Sequence, residues 1–112
     1  MTVSEVVFSF GTLQLADVQL ALFGRTVDAV PDALTGFVIG ELRIVDPEVI
    51  AMSGSDLHPA LLLGEDDDLV PGVALELTPG ELAAADHYER VSYRRVKASL
   101  VSGRAAWVYV PR

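Results

Sequence analysis

The chain contains no cysteine. Disulfides, thiolate nucleophiles and cysteine metal sites are therefore excluded. Histidine is scarce as well: His58 and His87 are the only two, too few for a metal constellation. Long apolar runs are missing, none approaching the roughly 18 residues of a membrane span. The opening Met1-Thr2-Val3-Ser4-Glu5 lacks the basic start and apolar stretch of a secretory signal. These absences fit a cytoplasmic protein. Positive charge is also short, with 8 Lys and Arg against 16 Asp and Glu and a net charge of −8. That balance opposes nucleic acid and anionic membrane surfaces as partners.

What is present is apolar and evenly spread. Hydrophobic residues make up 51% of 112 positions, enough for one domain, 1–112, with a single core and no staples. The few cations are unevenly placed. Arg90, Arg94, Arg95, Lys97, Arg104 and Arg112 all fall near the C-terminal end. They read as the outer faces of strands; the sharper alternative is that one of them meets an anionic group on a ligand.

The stretch Thr78 to Glu89 reads as a short helix with a clean start. Thr78 can cap it, Pro79 suits the first helical position, and Glu81 stands where a capping box needs it. Leu82, Ala85 and Glu89 share one helical face, and two of the three are apolar, so that face should be buried. Glu89 then lies at the inner edge of the C-terminus, where burial and the helix dipole both disfavour its charge. A carboxyl held that way is a candidate proton shuttle.

The rest of the chain reads as strands, turns and short helices. Glu5 to Phe10 is a strand running into Gly11-Thr12-Leu13, a glycine turn whose amides can bind a carboxylate or an oxyanion. A helix follows from about Asp17 to Phe23, with Gly24 suited to its end. Val27 to Thr35, with its proline, reads as a loop. Gly36 to Val45 is a strand ended by Asp46-Pro47, and Pro47 to Met52 one helical turn. Ser53 to Asp56 is a loop, His58 to Leu63 a short strand, and Gly64 to Asp68 an acidic turn. That acidic run lacks the alternating ligand spacing of a calcium loop. Val70 to Leu77 is a strand, and Val91–Val101 with Ala105–Val110 form a hairpin around Ser102-Gly103-Arg104. Trp107 and Tyr109 alternate with Val108 and Val110, so both faces of the last strand are apolar enough for a central position. The expected class is mixed α+β, with about six mostly antiparallel strands and two or three short helices.

Three segments in order resemble the gamma-glutamylcyclotransferase-like superfamily, which includes small avirulence-induced-gene-like domains. Phe8-Ser9-Phe10-Gly11-Thr12-Leu13 is similar to its N-terminal strand and loop. His58-Pro59-Ala60-Leu61 is similar to a mid-chain segment. Asp86-His87-Tyr88-Glu89, with Tyr93-Arg94-Arg95-Val96 and Ala106 to Val110, is similar to its C-terminal block. The resemblance implies a small mixed β-barrel with flanking helices and a cavity at its mouth. It implies cyclisation of a γ-glutamyl group to 5-oxoproline with release of an amine or amino acid, without any cofactor or metal. It assigns Glu89 as acid and base, and Phe10, Gly11, Thr12, Leu13 and Tyr93 as substrate-binding residues. Phe10 stands where the family has tyrosine, and Arg90 where it often has glycine. A cation beside Glu89 that paired with it would lower its pKa and its worth as a base. The alternative, from a different class, is a non-catalytic domain of the same fold that binds a small molecule or a protein. The residues specify no oligomeric state.

Overall fold

The computed structural model describes residues 4–43, 47–53 and 57–112. Seven strands and three helices follow in the order β1 (Glu5–Ser9), α1 (Ala16–Phe23), β2 (Ala29–Thr35), β3 (Phe37–Arg43), α2 (Pro47–Ser53), β4 (Leu57–Leu63), β5 (Leu69–Leu77), α3 (Pro79–Glu89), β6 (Tyr93–Ser99) and β7 (Ala105–Pro111). A short 3-10 turn, Thr12–Gln14, links β1 to α1. Five strands form one sheet in the order β2-β5-β1-β7-β6, and β3 pairs with β4 separately. All ladders are antiparallel except the central β1–β7 contact.

Mixed α+β is therefore the class. Two expectations change. Val27 to Thr35 is not simply a loop, because Ala29–Thr35 pairs along its length with β5. Its Pro31 is tolerated because β2 is the outermost strand, where a missing N–H breaks no second ladder. The strand count is accordingly seven rather than six. The described strands also do not close into a ring. Edge strand β2 is tied back to the β6–β7 hairpin only at one end, by a bridge between Leu34 and Leu100 and a 2.8 Å bond from the Val101 N–H to the Ala33 carbonyl. The expected strand residues Ile44 and Val45, the stop at Asp46 and the loop at Gly54 to Asp56 lie outside the described residues.

Alternation along the sheet sends side chains into two cores. Val7, Leu75, Leu77 and Tyr109 face α1 and α3, where Val18, Leu82, Ala85 and Tyr88 meet them. Phe8, Ala74 and Val108 face the other way, towards Leu34, Leu61 and Leu100. Burial of each such leucine is worth roughly 2 kcal/mol. Strand β7 is thus packed on both faces, as its sequence suggests. Sheet order also fixes a close approach: a Cβ at Gly72 would lie 2.5 Å from the Ser9 carbonyl oxygen, so β5 can pass β1 here only as glycine. Gly24 ends α1 with φ 70° and an N–H bonded to Leu20, the left-handed cap that glycine supplies without strain. Among the described residues, no helix is long and apolar enough to cross a membrane.

Candidate functional site

Helix α3 begins as its sequence dictates. The Thr78 hydroxyl accepts from the Glu81 N–H at 3.1 Å, and Glu81 accepts from the Thr78 N–H at 2.9 Å. Arg25 of the α1–β2 connection forks onto the same Glu81 at 2.7 and 2.8 Å. That hydrogen bond outweighs partial burial and holds the Glu81 carboxyl at about 2. The start of α3 is thereby fixed to the first half of the chain.

At the other end, Leu82 and Ala85 are buried and Glu89 follows them on the same face. Burial pushes the Glu89 carboxyl up to about 7. Among the described residues, no side chain hydrogen-bonds or ion-pairs with it. Arg90, the neighbour positioned to quench it, turns elsewhere. Its guanidinium donates to the His87 carbonyl at 2.6 Å and to Glu48 of α2 at 3.3 Å. Arg95 is held by Asp86. Nothing therefore offsets the desolvation of Glu89.

Three tyrosines surround this carboxyl electrostatically. Tyr88 and Tyr93 are raised, first by burial and then with help from the negative charge of Glu89, Tyr93 up to about 12. Tyr109 is raised above the ordinary phenol range by burial, by its bond to Asp86 and, to a smaller degree, by Glu89. All three are at least nine-tenths buried. At neutral pH they remain protonated, and they act as neutral walls rather than as bases.

Among the described residues, one hydrogen bond joins the loop after β1 to α3. Thr12 Oγ1 and the Tyr88 hydroxyl lie 3.0 Å apart. The Gly11 N–H is occupied by the Ser9 hydroxyl at 3.2 Å, and Gln14 and Leu15 bond back to Gly11 and Thr12 to close the 3-10 turn. No acceptor among the described residues takes the Thr12 or Leu13 N–H. The buried Gln19 braces the turn from behind, donating to the Leu13 carbonyl and accepting from the Val27 N–H. Gly11 has ordinary negative φ, and nothing lies within 4 Å of where its Cβ would be. Its lack of a side chain leaves open space over the turn.

The residues singled out from sequence do not all converge. Thr12 meets Tyr88, the residue that precedes Glu89 in α3. The Leu13 side chain is core, packed with Leu75 and Val18, so only its backbone faces outward chemistry. Phe10 packs against the second core, on the opposite face of the sheet from α3. Tyr93 begins β6 and lines a cleft with Asp86, Arg94, Arg95, Trp107, Tyr109 and Arg112. The His58 side chain lies outside the described residues. Sequence reasoning passed over Tyr88 as a site residue, although its place one turn beyond Ala85 signals the same buried helix face. It also did not name the Asp86–Arg95–Tyr109 set. Pairing the hairpin about Ser102-Gly103-Arg104 sets Arg95 directly opposite Tyr109.

A family model described as gamma-glutamyl cyclotransferase, AIG2-like, matches residues 7–112. No curated protein sequence matches the chain. Among solved structures, it is similar to At3g28950.1 from Arabidopsis thaliana, with TM-score 0.77 and 22% identity over 99% of this chain and 64% of that one. It therefore spans less than two thirds of that relative's length. A second Arabidopsis thaliana protein, At5g39720.1, gives TM-score 0.75 and 24% identity over 96% and 68% of the two chains. A structure named gamma-glutamyl cyclotransferase gives TM-score 0.73 and 15% identity over 98% and 68%. At such identities the likeness is one of fold.

Proposed function

This chain belongs to the gamma-glutamyl cyclotransferase, AIG2-like family, and we propose that it cyclises a γ-glutamyl group to 5-oxoproline, releasing an amine or amino acid, with Glu89 as acid and base. The observation that carries the reading is the carboxyl itself. Glu89 is desolvated, unpaired among the described residues and poised at about 7, the value a group needs to accept and return a proton near neutrality.

In this mechanism the α-ammonium of the γ-glutamyl group gives a proton to the Glu89 carboxylate. The freed amine attacks its own γ-carbonyl carbon. A C–N bond forms, and the carbonyl electron pair moves onto oxygen. The Thr12 and Leu13 N–H groups, which have no acceptor among the described residues, supply donors for that oxyanion. The space over Gly11 admits the substrate backbone. As the tetrahedral centre collapses, the old C–N bond breaks, protonated Glu89 delivers its proton to the departing nitrogen, and the ring nitrogen releases its second proton to solvent to leave a neutral lactam. Ring closure is intramolecular, so holding the substrate folded supplies much of the acceleration. In this reading Phe10 shapes the strand leading into the loop without touching substrate, and Tyr93 forms part of the apolar wall that keeps Glu89 desolvated.

The test is 5-oxoproline release from a panel of γ-glutamyl amino acids and γ-glutamyl amines. Glu89→Gln, which keeps size and shape, should lower turnover by about 10²–10⁴-fold. Equal turnover by the two proteins would remove Glu89 from the mechanism. Absence of release from every substrate with the unaltered chain would favour a non-catalytic binding domain.

A further inference from the structure

The five-stranded sheet has two edges, β2 and β6. At β2, Pro31 offers no N–H, and the end of the strand is already tied to Leu100 and Val101. At β6 the edge is open. Antiparallel partners alternate between pairs that exchange hydrogen bonds and pairs that do not. The register sets Arg94 against Val110, Val96 against Val108 and Ala98 against Ala106. Just beyond the two ends of that ladder, Arg112 donates to the Ser92 carbonyl at 3.0 Å and Leu100 to the Arg104 carbonyl at 2.9 Å. The bonded pairs therefore fall on Arg94, Val96 and Ala98. Tyr93, Arg95, Lys97 and Ser99 turn their backbone groups away from β7. The Thr35 hydroxyl, which donates to the Ser99 carbonyl at 3.1 Å, reaches β6 from that outer side.

Among the described residues, the N–H and C=O of Arg95 and Lys97 and the N–H of Ser99 have no partner. A row of this kind is a template for one more strand. The charges beside it narrow the choice of strand. From Arg90 to Arg112 the chain carries six of its 8 Lys and Arg and no Asp or Glu. Arg94 and Lys97 are exposed and, by alternation, lie on opposite faces of β6. Arg94 makes no hydrogen bond or ion pair among the described residues, and Lys97 rests only against the Trp107 ring at 4.4 Å. Arg95 is already committed to Asp86. Two copies of β6 laid edge to edge would bring these cations together, and like charges across a strand pair destabilise it.

We propose that the outer edge of β6 docks a short, extended, acidic segment of a partner protein as a further strand of the sheet. The main-chain groups of Arg95, Lys97 and Ser99 supply the ladder, and Arg94 and Lys97 meet carboxylates on its two faces. The segment is short because β6 is 7 residues long and Leu34 closes the edge at Leu100. A long polyanion would run onto the acidic remainder of a chain whose net charge is −8. An interface of one strand is small, so the complex is a transient one. Salt weakens it, since both cations are exposed. The proposal involves neither Glu89 nor the Gly11 turn and holds whether or not the chain is a cyclotransferase.

The full chain is titrated with an end-blocked peptide of sequence Glu-Val-Thr-Glu-Val-Thr-Glu, which places carboxylates on both faces of a strand. Two controls are the same peptide with lysine for glutamate and the acidic peptide with every backbone N–H methylated. Amide shifts and hydrogen exchange are followed by NMR. The acidic peptide should shift the amides of Arg95, Lys97 and Ser99 saturably and slow their exchange, and neither control should do so. The double variant Arg94→Glu/Lys97→Glu should bind the acidic peptide about tenfold more weakly or worse. Arg104→Gln, which removes a cation paired with Glu76 away from this edge, should bind as the unaltered chain does. The proposal is overturned by the absence of a saturable response to the acidic peptide, by equal binding of either control, or by an equal loss in Arg104→Gln. It is also overturned if protection of those amides grows with protein concentration alone, which would give the edge to a second copy.

Discussion

Glu89 and Arg90 are adjacent in sequence and opposite in charge, yet they do not neutralise each other. Consecutive helical positions point about 100° apart, and Arg90 finds acceptors on that other side, in the His87 carbonyl and Glu48. The burial of Glu89 was legible from its spacing after Leu82 and Ala85. The direction of Arg90 was not, because Glu48 lies on a different helix 42 positions away. The cost of this arrangement depends on pH with a definite sign. The carboxyl is raised from 4.5 to about 7, so the folded state binds its proton more tightly than the unfolded state does. Stability on its account is full below about pH 4.5, falls as pH rises, and reaches its lower level once pH passes about 7. The full difference amounts to roughly 3 kcal/mol. Glu89→Gln should therefore be more stable than the unaltered chain at pH 8, by up to about 3 kcal/mol, and close to it at pH 4.5. Urea denaturation of both proteins at the two pH values measures this; a variant that is less stable at pH 8 would show that the carboxylate is favourably bonded where it lies.

At the scale of elements, α3 is the part most fully readable from sequence. Its cap, its first turn and its buried face all follow from local chemistry, and Thr78, Glu81, Leu82 and Ala85 take the positions their spacing requires. Strand β2 was hidden for the converse reason. Pro31 argues against a strand in general and is harmless only at a sheet edge, and which strand is outermost is a property of the assembled sheet. The link between α3 and the loop after β1 was equally out of reach, since Thr12 and Tyr88 are 76 positions apart. That hydroxyl contact, together with the buried Leu13, ties the 3-10 turn to the helix that carries Glu89. Tyr88→Phe should cost about 1 kcal/mol in stability and speed hydrogen exchange of the amides at 12–14 beyond what that global loss explains. Exchange at the turn that changes only in step with the rest of the sheet would show that other contacts position the loop.

The whole molecule puts its two ends side by side. β1 and β7 are neighbours at the centre of the five-stranded sheet, so the N-terminal glycine turn and the C-terminal helix–hairpin block, remote in sequence, belong to one face of the fold. The apolar character of both faces of β7 announced a central strand, and the hairpin fixed its partner. The parallel contact with β1 came only from the packing of all seven strands. This arrangement gives a carboxyl near neutrality and a turn with free amides a common frame, and the proposed reaction requires both. Its most direct test is the pH dependence of kcat/KM for 5-oxoproline release from the best γ-glutamyl substrate. Because the free protein must carry Glu89 as a carboxylate to accept the first proton, kcat/KM should rise with pH through about 7, in step with the ionisation of Glu89. A profile that is flat from about pH 5 to 8, or one that is already complete near the ordinary carboxyl value of about 4.3, would contradict the assignment of Glu89 as the proton shuttle.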